Sequence, residues 1–274
     1  KLKAIIIDEL KAISKKYGTP RKTGIVYASE IEEPDEDEQV EDYAVTLFLS
    51  REGYFKKITA QSLRMSGEQK YKDGDGLAVS FESTNRAELL FLTDKQQMYK
   101  ARVSDFEDGK ASVLGIYLPT RLKMDEGESV IAMIDPGDYK KHLLLMFENG
   151  KAARIELSAY ETKTNRRKLV GACSDKSPVK AVMLIGEEFD VACYSSDGRA
   201  MIFNTAQLQP KTSRSTQGVA GMSLKAKRVL EKAMPRKDSD IQNTARYRIR
   251  SIPAAGALIK GEDRAEKQLS LMDE

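Results

Sequence analysis

The sequence has 274 residues, 41% of them hydrophobic and 32% charged, so it can form one large or two modest domains with a heavily charged surface. Two cysteines and a single histidine argue against a disulfide framework and against a His/Cys zinc site. No apolar run approaches the roughly 20 residues of a membrane helix, and no signal peptide is visible. We therefore expect a cytoplasmic protein without membrane contact.

The first 23 residues predict the end of a helix. Apolar residues recur at helical spacing on one face: Leu2, Ile6, Leu10, Ile13 and Tyr17. Gly18 and Pro20 then stop the helix. Because the pattern begins at the first residue and the chain lacks an initial Met, we expect residues 1–23 to be the end of a helix from an upstream domain.

Residues 24–42 predict an acidic linker. Residues 30–42 hold nine acidic side chains and no basic one. Residues 43–274 hold 38 Lys and Arg against 31 Asp and Glu, a net charge of +7. A solvated spacer is the simpler interpretation of the acidic stretch, and an internal segment that competes with a polyanion for the basic part is the alternative.

From residue 43 onward, a hairpin pattern occurs four times. Turns are predicted at Glu52-Gly53, Gln96-Gln97, Asn149-Gly150 and Asp197-Gly198, with spacings of 44, 53 and 48 residues. An apolar strand precedes each turn and a strand with basic residues follows it, and each unit later has a glycine-containing segment. About four strands per unit at this period predict an all-β, propeller-like array.

The C-terminal part continues this array. Residues 225–240 have a short helical pattern. Apolar and basic residues alternate at the start of ARYRIRSIPAAGALIK (245–260), and this stretch predicts one more strand. We expect the array to occupy residues 43–260 and residues 261–274 to be a polar tail.

Catalytic and metal-binding motifs are not apparent. His142 starts an apolar strand, which favours a half-buried structural histidine. No second histidine is present with which it could form a catalytic base and its orienting partner. No nucleotide-binding glycine loop precedes a helix, and the aspartates of residues 70–76 lack the spacing of a calcium loop. We therefore predict no catalytic residue, no metal site and no cofactor in this chain.

Basic residues recur in two places in the repeat. On or next to the strand after each turn lie Lys56, Lys57, Lys100, Arg102, Arg154 and Arg199. In the following segments lie Lys70, Lys72, Arg121, Lys123, Arg166, Arg167, Lys168, and Lys211 with Arg214. Units arranged around an axis would bring such residues onto one belt that could follow a curved polyanion through phosphate contacts. A solvated surface is the alternative.

Several stretches resemble the C-terminal domain of the A subunit of bacterial type IIA topoisomerases, DNA gyrase and topoisomerase IV. The resemblance spans residues 9 to about 228, in the order of that family. It is carried by ELKAISKKYGTPRKT (9–23), EGYFKKITAQSL (52–63), VLGIYLPTRLKMDEGESVIAMI (113–134) and, most specifically, SRSTQGVAGMSL (213–224).

The resemblance implies a β-pinwheel, a propeller-like disc of four-stranded repeats whose blades exchange a strand and whose basic rim bends double-stranded DNA. It implies that the fragment is non-catalytic. The parent protein would be an ATP-dependent type II DNA topoisomerase that uses ATP and Mg²⁺ elsewhere. The partners implied are the remainder of its own A subunit together with the B subunit. Lys56 and Lys57 would be exposed at the rim of the first blade, where the DNA path starts.

One segment departs from the family. Its gyrase members have a Q-R-R-G-G-K-G-like box in the first blade, whereas residues 66–76 are SGEQKYKDGDG, with Asp73 and Asp75 in place of the glycine pair. Four units are also fewer than the usual six blades of gyrase. Both differences favour a topoisomerase IV-like protein, with a divergent gyrase as the alternative.

The sequence is also compatible with three other functions. A propeller scaffold that binds protein would show apolar or acidic contacts on a disc face and indifference to DNA. A structural spacer would dock on the rest of its own subunit through the first helix. An enzyme is the least favoured interpretation, because the sequence offers no site for it.

Overall fold

The computed structural model describes residues 2–19, 40–65, 68–162 and 167–263. It divides into two compact units, residues 1–39 and residues 40–274. The first contains helix α1 (Leu2–Tyr17), which ends as predicted before Gly18 and whose residues are all exposed. The predicted acidic linker lies mostly outside the described residues. In the part of the chain that is described, no helix is long and apolar enough to cross a bilayer.

The second unit is all-β, as predicted, with four four-stranded sheets, here called blades 1 to 4. Its strands are β1 (Ala44–Ser50), β2 (Tyr54–Thr59), β3 (Leu77–Thr84), β4 (Glu88–Thr93), β5 (Gln97–Arg102), β6 (Ile116–Tyr117), β7 (Val130–Ile134), β8 (His142–Phe147), β9 (Lys151–Glu156), β10 (Lys168–Val170), β11 (Val179–Ile185), β12 (Asp190–Ser195), β13 (Arg199–Asn204), β14 (Val219–Ala220), β15 (Leu230–Pro235) and β16 (Ala257–Leu258). Short helices α2 (Ala60–Met65), α3 (Leu118–Arg121) and α4 (Thr244–Tyr247) connect some of them.

Consecutive blades exchange strands, as the resemblance implied. The strand orders are β3-β1-β2-β6, β7-β4-β5-β10, β11-β8-β9-β14 and β15-β12-β13-β16. Strand β6 follows the hairpin of blade 2 in sequence but pairs with β2 of blade 1, and β10 and β14 return to the preceding blade in the same way. Strand β11 contacts β7 and β15, so the first strand of each order is the inner one and the last is the outer one.

Three apolar cores join the blades in sequence. One joins blades 1 and 2 around Phe55 and Phe91, one joins blades 2 and 3 around Leu90 and Phe147, and one joins blades 3 and 4. A fourth cluster packs Ile241 and Tyr247 of the C-terminal segment against blade 4. Among the described residues, no core cluster contains side chains of both blade 4 and blade 1. The array is therefore joined by packing at three junctions.

The hairpins form where the sequence predicted them, with one shift of a residue. Gly53, Gly150 and Gly198 have positive φ in their turns, a conformation that glycine adopts without a steric penalty. In the second hairpin Gln96 takes this position with a φ of 54°, and Gln97 already belongs to β5. That turn therefore lies over residues 94–96.

One C-terminal prediction is wrong and another is confirmed only in part. Residues 225–240, which have a helical pattern in sequence, contain strand β15. A bulge opposite Tyr194 and Ser195 puts Leu230 and Ala233 on the same face of this strand although they are three residues apart, and this spacing imitates a helix. The strand predicted within residues 245–260 forms only at β16, the outer strand of blade 4. The alternating residues before it begin in helix α4, which is capped by the Asn243 side chain.

Candidate nucleic-acid interface

The basic residue of the second hairpin strand occupies the same ladder position in three blades. Lys57 pairs with Leu47, Lys100 with Leu90 and Arg154 with Leu144. The corresponding residue of blade 4 is Ile202, which pairs with Ala192. The basic residues that recur in the sequence therefore occupy equivalent positions in the structure. The contacts of their side chains show which role these residues have.

Lys57 is buried between blades 1 and 2. Its Nζ lies 2.9 Å from Asn85 Oδ1, in the loop before β4, and 2.9 Å from Asp108 Oδ1. Its ammonium also lies over the ring of Tyr43, 5.7 Å from the centroid. These contacts tie the hairpin of blade 1 to two segments that belong to the next repeat.

Lys100 and Arg154 make equivalent contacts at the next two junctions. Lys100 pairs with Glu88 and reaches Thr162 Oγ1 and the ring of Tyr139, in the loop before β8. Arg154 Nη1 lies 2.8 Å from Glu188, in the loop before β12, and 3.3 Å from the carbonyl of Thr205. Burial lowers the pKa of Lys100. These three cations stabilise the junctions between consecutive blades.

Lys56 lies on the opposite face of β2 and is also buried. Its Nζ donates to the carbonyl of Lys70 at 2.6 Å, to that of Ala111 at 3.2 Å and to Gln69 Oε1 at 3.3 Å. It lies over the ring of Tyr71, and burial lowers its pKa. Lys56 therefore anchors the segment in which the resemblance would place the gyrase box.

The expectation that Lys56 and Lys57 are exposed is wrong, since only 3% and 4% of these residues is accessible, and Arg154 is 8% accessible. The second hairpin strand has a neighbouring strand on each side in its blade. Its faces are covered by the next blade and, in blade 1, by residues 69–71. Alternation along a strand cannot reveal that both faces are covered.

Five predicted residues line one groove at the outer edge of blades 1 and 2, here called the basic groove: Lys100, Arg121, Lys123, Arg167 and Lys168. Arg121 lies over the ring of Phe106 and donates to the carbonyl of Asp105. Lys168 lies 2.9 Å from Asp125, whose hydrogen bond raises the pKa of the lysine. Lys123 and Arg167 are exposed and have no ion pair with a described carboxylate. The groove thus presents free cations beside aromatic rings.

Further exposed cations lie in the segments that precede the outer strands in sequence, here called rim loops 1 to 4: residues 107–115, 161–167 (of which 163–166 lie outside the described residues), 209–218 and 248–256. In rim loop 3, Lys211 is exposed while its backbone bonds to Arg154 and Glu156, and Arg214 lies over the ring of Tyr160. In rim loop 4, Arg248 pairs with Asp190 and Arg250 is exposed. Both arginines were assigned to a strand from sequence and were not recognised as candidates.

The other predicted residues are dispersed. Lys70 is exposed, and Lys72 pairs with Glu52 at 2.8 Å. Arg199 lies 3.3 Å from Asp197 and donates to the carbonyl of Gly256. Arg102 is half-buried. Arg166 lies outside the described residues. Whether any of these residues contacts DNA stays a prediction.

Groups that could bind a metal ion or act in catalysis are few among the described residues. Within residues 2–19, 40–65, 68–162 and 167–263, no group of three or more His, Cys, Asp and Glu side chains is arranged to hold a metal ion. His142 lies on β8 with Nδ1 3.3 Å from Arg154 Nη2, and burial followed by this guanidinium lowers its pKa. The histidine belongs to the junction between blades 3 and 4.

Comparison with known proteins relates this arrangement to one family. Residues 87–135 and 190–228 match the family described as DNA gyrase C-terminal domain, beta-propeller. The DNA gyrase A protein of Borreliella burgdorferi is 24% identical over 230 residues, which cover 81% of this chain and 28% of that protein. The DNA topoisomerase 4 A protein of Staphylococcus aureus is 24% identical over 279 residues, covering 98% of this chain and 34% of that protein. The chain therefore spans about a third of the length of these relatives.

Solved structures share the fold. The C-terminal domain of a DNA topoisomerase IV aligns with a TM-score of 0.68 at 20% identity, over 82% of this chain and 76% of that one. The C-terminal domain of E. coli ParC aligns with a TM-score of 0.60 at 15% identity, over 81% and 96%. A DNA gyrase A C-terminal domain aligns with a TM-score of 0.52 at 17% identity, over 81% and 80%.

Proposed function

We propose that this chain, which is similar to the C-terminal β-propeller domains of the DNA gyrase A and topoisomerase IV A proteins, binds and bends double-stranded DNA along its outer edge. In this proposal it presents DNA to an upstream cleavage core. Its partners are the remainder of its own A subunit together with the B subunit, while ATP and Mg²⁺ act elsewhere in the assembly. A topoisomerase IV-like parent and a divergent gyrase both fit the proposal.

The observation that carries the proposal is the position of the unpaired cations. Lys123 and Arg167 of the basic groove, Lys211 and Arg250 are exposed, and they lie on segments that lead into or out of the outer strands of consecutive blades. Cations at such positions can neutralise successive phosphates of a duplex without reading its bases. The buried Lys57 and Arg154 and the half-buried Lys100 support this edge from within.

Titration of a duplex at two salt concentrations tests the proposal. Each phosphate contact contributes about −0.9 to the slope of log K against log salt, so a few contacts give a steep fall in affinity that is indifferent to base sequence. The variant Lys123→Glu/Arg167→Glu should bind much more weakly. The matched control Lys140→Glu/Lys141→Glu makes the same charge change in the loop before β8, away from the outer strands, and should bind nearly as the parent does.

Two results would contradict the proposal. One is the absence of binding at low salt, which would favour a scaffold for protein partners. The other is an equal loss of affinity in both double variants, which would show that only total charge matters. Sequence-selective binding that persists at high salt would also argue against phosphate contacts as its source.

A further inference from the structure

The rim loops differ in charge from one blade to the next. Rim loop 1 carries Glu107, Asp108 and Lys110 and is net negative. Rim loop 2 has one glutamate against three basic residues in its sequence, and rim loops 3 and 4 each have two basic residues and no acidic one. By sequence, a net positive charge is therefore confined to the rim loops of blades 2, 3 and 4.

The contacts in blade 1 reinforce this asymmetry. Asp108 is held at the outer edge by Lys57 at 2.9 Å and by the hydroxyl of Tyr43 at 2.9 Å, and its side chain remains 41% accessible. The ammonium that neutralises it is buried, so Asp108 presents carboxylate oxygens toward solvent while the cation points inward.

Blade 1 has a second segment with charged residues, at positions 68–76. This segment provides little free positive charge. Lys72 pairs with Glu52, and Asp75 accepts hydrogen bonds from the backbone N–H groups of Glu52 and Gly76. Asp73 is exposed beside them. Lys70 is the one described lysine of this segment that has no carboxylate partner. Phosphates brought close would meet three acidic residues and two basic ones.

We propose that duplex DNA engages the basic groove and the outer edges of blades 3 and 4, and passes clear of rim loop 1 and of residues 68–76 in blade 1. The inference rests on the proposed function and specifies its surface. It reverses the expectation that the DNA path begins at Lys56 and Lys57, because these residues act inside the fold. The path instead starts at the basic groove and continues over rim loops 3 and 4.

Two triple variants that remove the same charge test this path. Arg167→Ala/Lys211→Ala/Arg250→Ala removes one exposed cation from each of blades 2, 3 and 4. Lys70→Ala/Lys72→Ala/Lys110→Ala removes three exposed cations from blade 1. All six side chains are accessible, and an unfolding curve for each variant checks that the fold is intact.

The salt slope of duplex binding discriminates between the variants. Each lost phosphate contact lowers the magnitude of the slope of log K against log salt by about 0.9. We expect this magnitude to fall by roughly 2 to 3 in the first variant and by less than about 0.9 in the second. An equal or larger effect of the blade 1 variant would overturn the inference while leaving DNA binding established. If the parent chain shows no salt-dependent binding, the proposed function itself fails, and the two failures are therefore distinguishable.

Discussion

Lys57 Nζ and Asp108 Oδ1 lie 2.9 Å apart and join two repeats of the array. Lys57 is in the middle of β2, and Asp108 is in the segment that runs from the hairpin of blade 2 back to the outer edge of blade 1. The pair therefore fixes the returning chain before it forms β6. Strand exchange thus depends on polar contacts at the junction as well as on the apolar core.

We expect Lys57→Met to destabilise the domain by about 1–3 kcal/mol, the cost of leaving the buried polar partner of a charged hydrogen bond unpaired. Asn85 Oδ1 loses its donor in this variant, whereas the exposed Asp108 can be hydrated. Urea unfolding measures the change in the free energy of unfolding. The control Lys110→Met changes an exposed position of rim loop 1, which also contains Asp108. Its free energy of unfolding should stay within about 0.5 kcal/mol of that of the unmodified chain. Equal stability of the two variants would contradict the junction role.

The stability of the domain should fall below neutral pH through His142. The folded pKa of His142 is lowered by burial and by Arg154, so the unfolded chain takes up this proton first as the pH falls. The stability that the neutral imidazole provides is present above its ordinary pKa of about 6.5 and is lost as the pH falls toward the lower folded pKa. Melting temperatures at pH 7.5 and 5.5 should differ less in His142→Gln than in the parent. An identical pH response of both would refute the coupling.

Gly218 should tolerate no side chain. Its φ is +71°, and an added Cβ would lie 2.3 Å from the carbonyl oxygen of Ala152, in the strand that β14 pairs with. Gly171 has a similar φ of +67° with nothing within 4 Å of its Cβ position. We expect Gly171→Ala to cost about 1–2 kcal/mol for the left-handed conformation alone and Gly218→Ala to cost clearly more. Thermal unfolding of both variants separates the close contact from the backbone conformation.

The segment at residues 68–76 should support little chiral wrapping. Lys72 is paired with Glu52, and Asp73 and Asp75 stand in place of the glycine pair of the family. Phosphates cannot approach this backbone closely without meeting carboxylates. Relaxation of circular DNA by a nicking-closing enzyme in the presence of the domain should therefore trap few positive supercoils. Trapping as strong as that of a gyrase domain would show that the departure from the box is without consequence.

The parts of the fold that depend on neighbouring residues in sequence could be predicted from sequence. The hairpins of blades 1, 3 and 4 follow from apolar strands around a glycine at positive φ. The spacing of Leu230 and Ala233 misled the prediction because a bulge in β15 imitates helical periodicity. The exchange of β6, β10 and β14 between blades is a long-range pairing, and it was implied by the resemblance to the family and not by any local pattern.

The sequence predicted which basic residues belong to the candidate site, but it did not predict which of them are exposed. Charge patterning identified Arg121, Lys123, Arg167 and Lys168, and the structure brings them into one groove. The same patterning selected Lys57 and Arg154, because a sequence shows where a cation lies along a strand but not which blade packs against it. Arg250 was missed for a related reason, since its alternating neighbours imitate a strand.

End-to-end fluorescence transfer in a labelled duplex measures whether DNA bends around the outer edge of the domain. A duplex much shorter than the persistence length of about 150 bp stays nearly straight in solution. Addition of the parent chain at low salt should bring the two ends closer, added salt should reverse the change, and Arg167→Ala/Lys211→Ala/Arg250→Ala should weaken it. Binding that leaves the end-to-end distance unchanged would contradict bending of DNA around this edge.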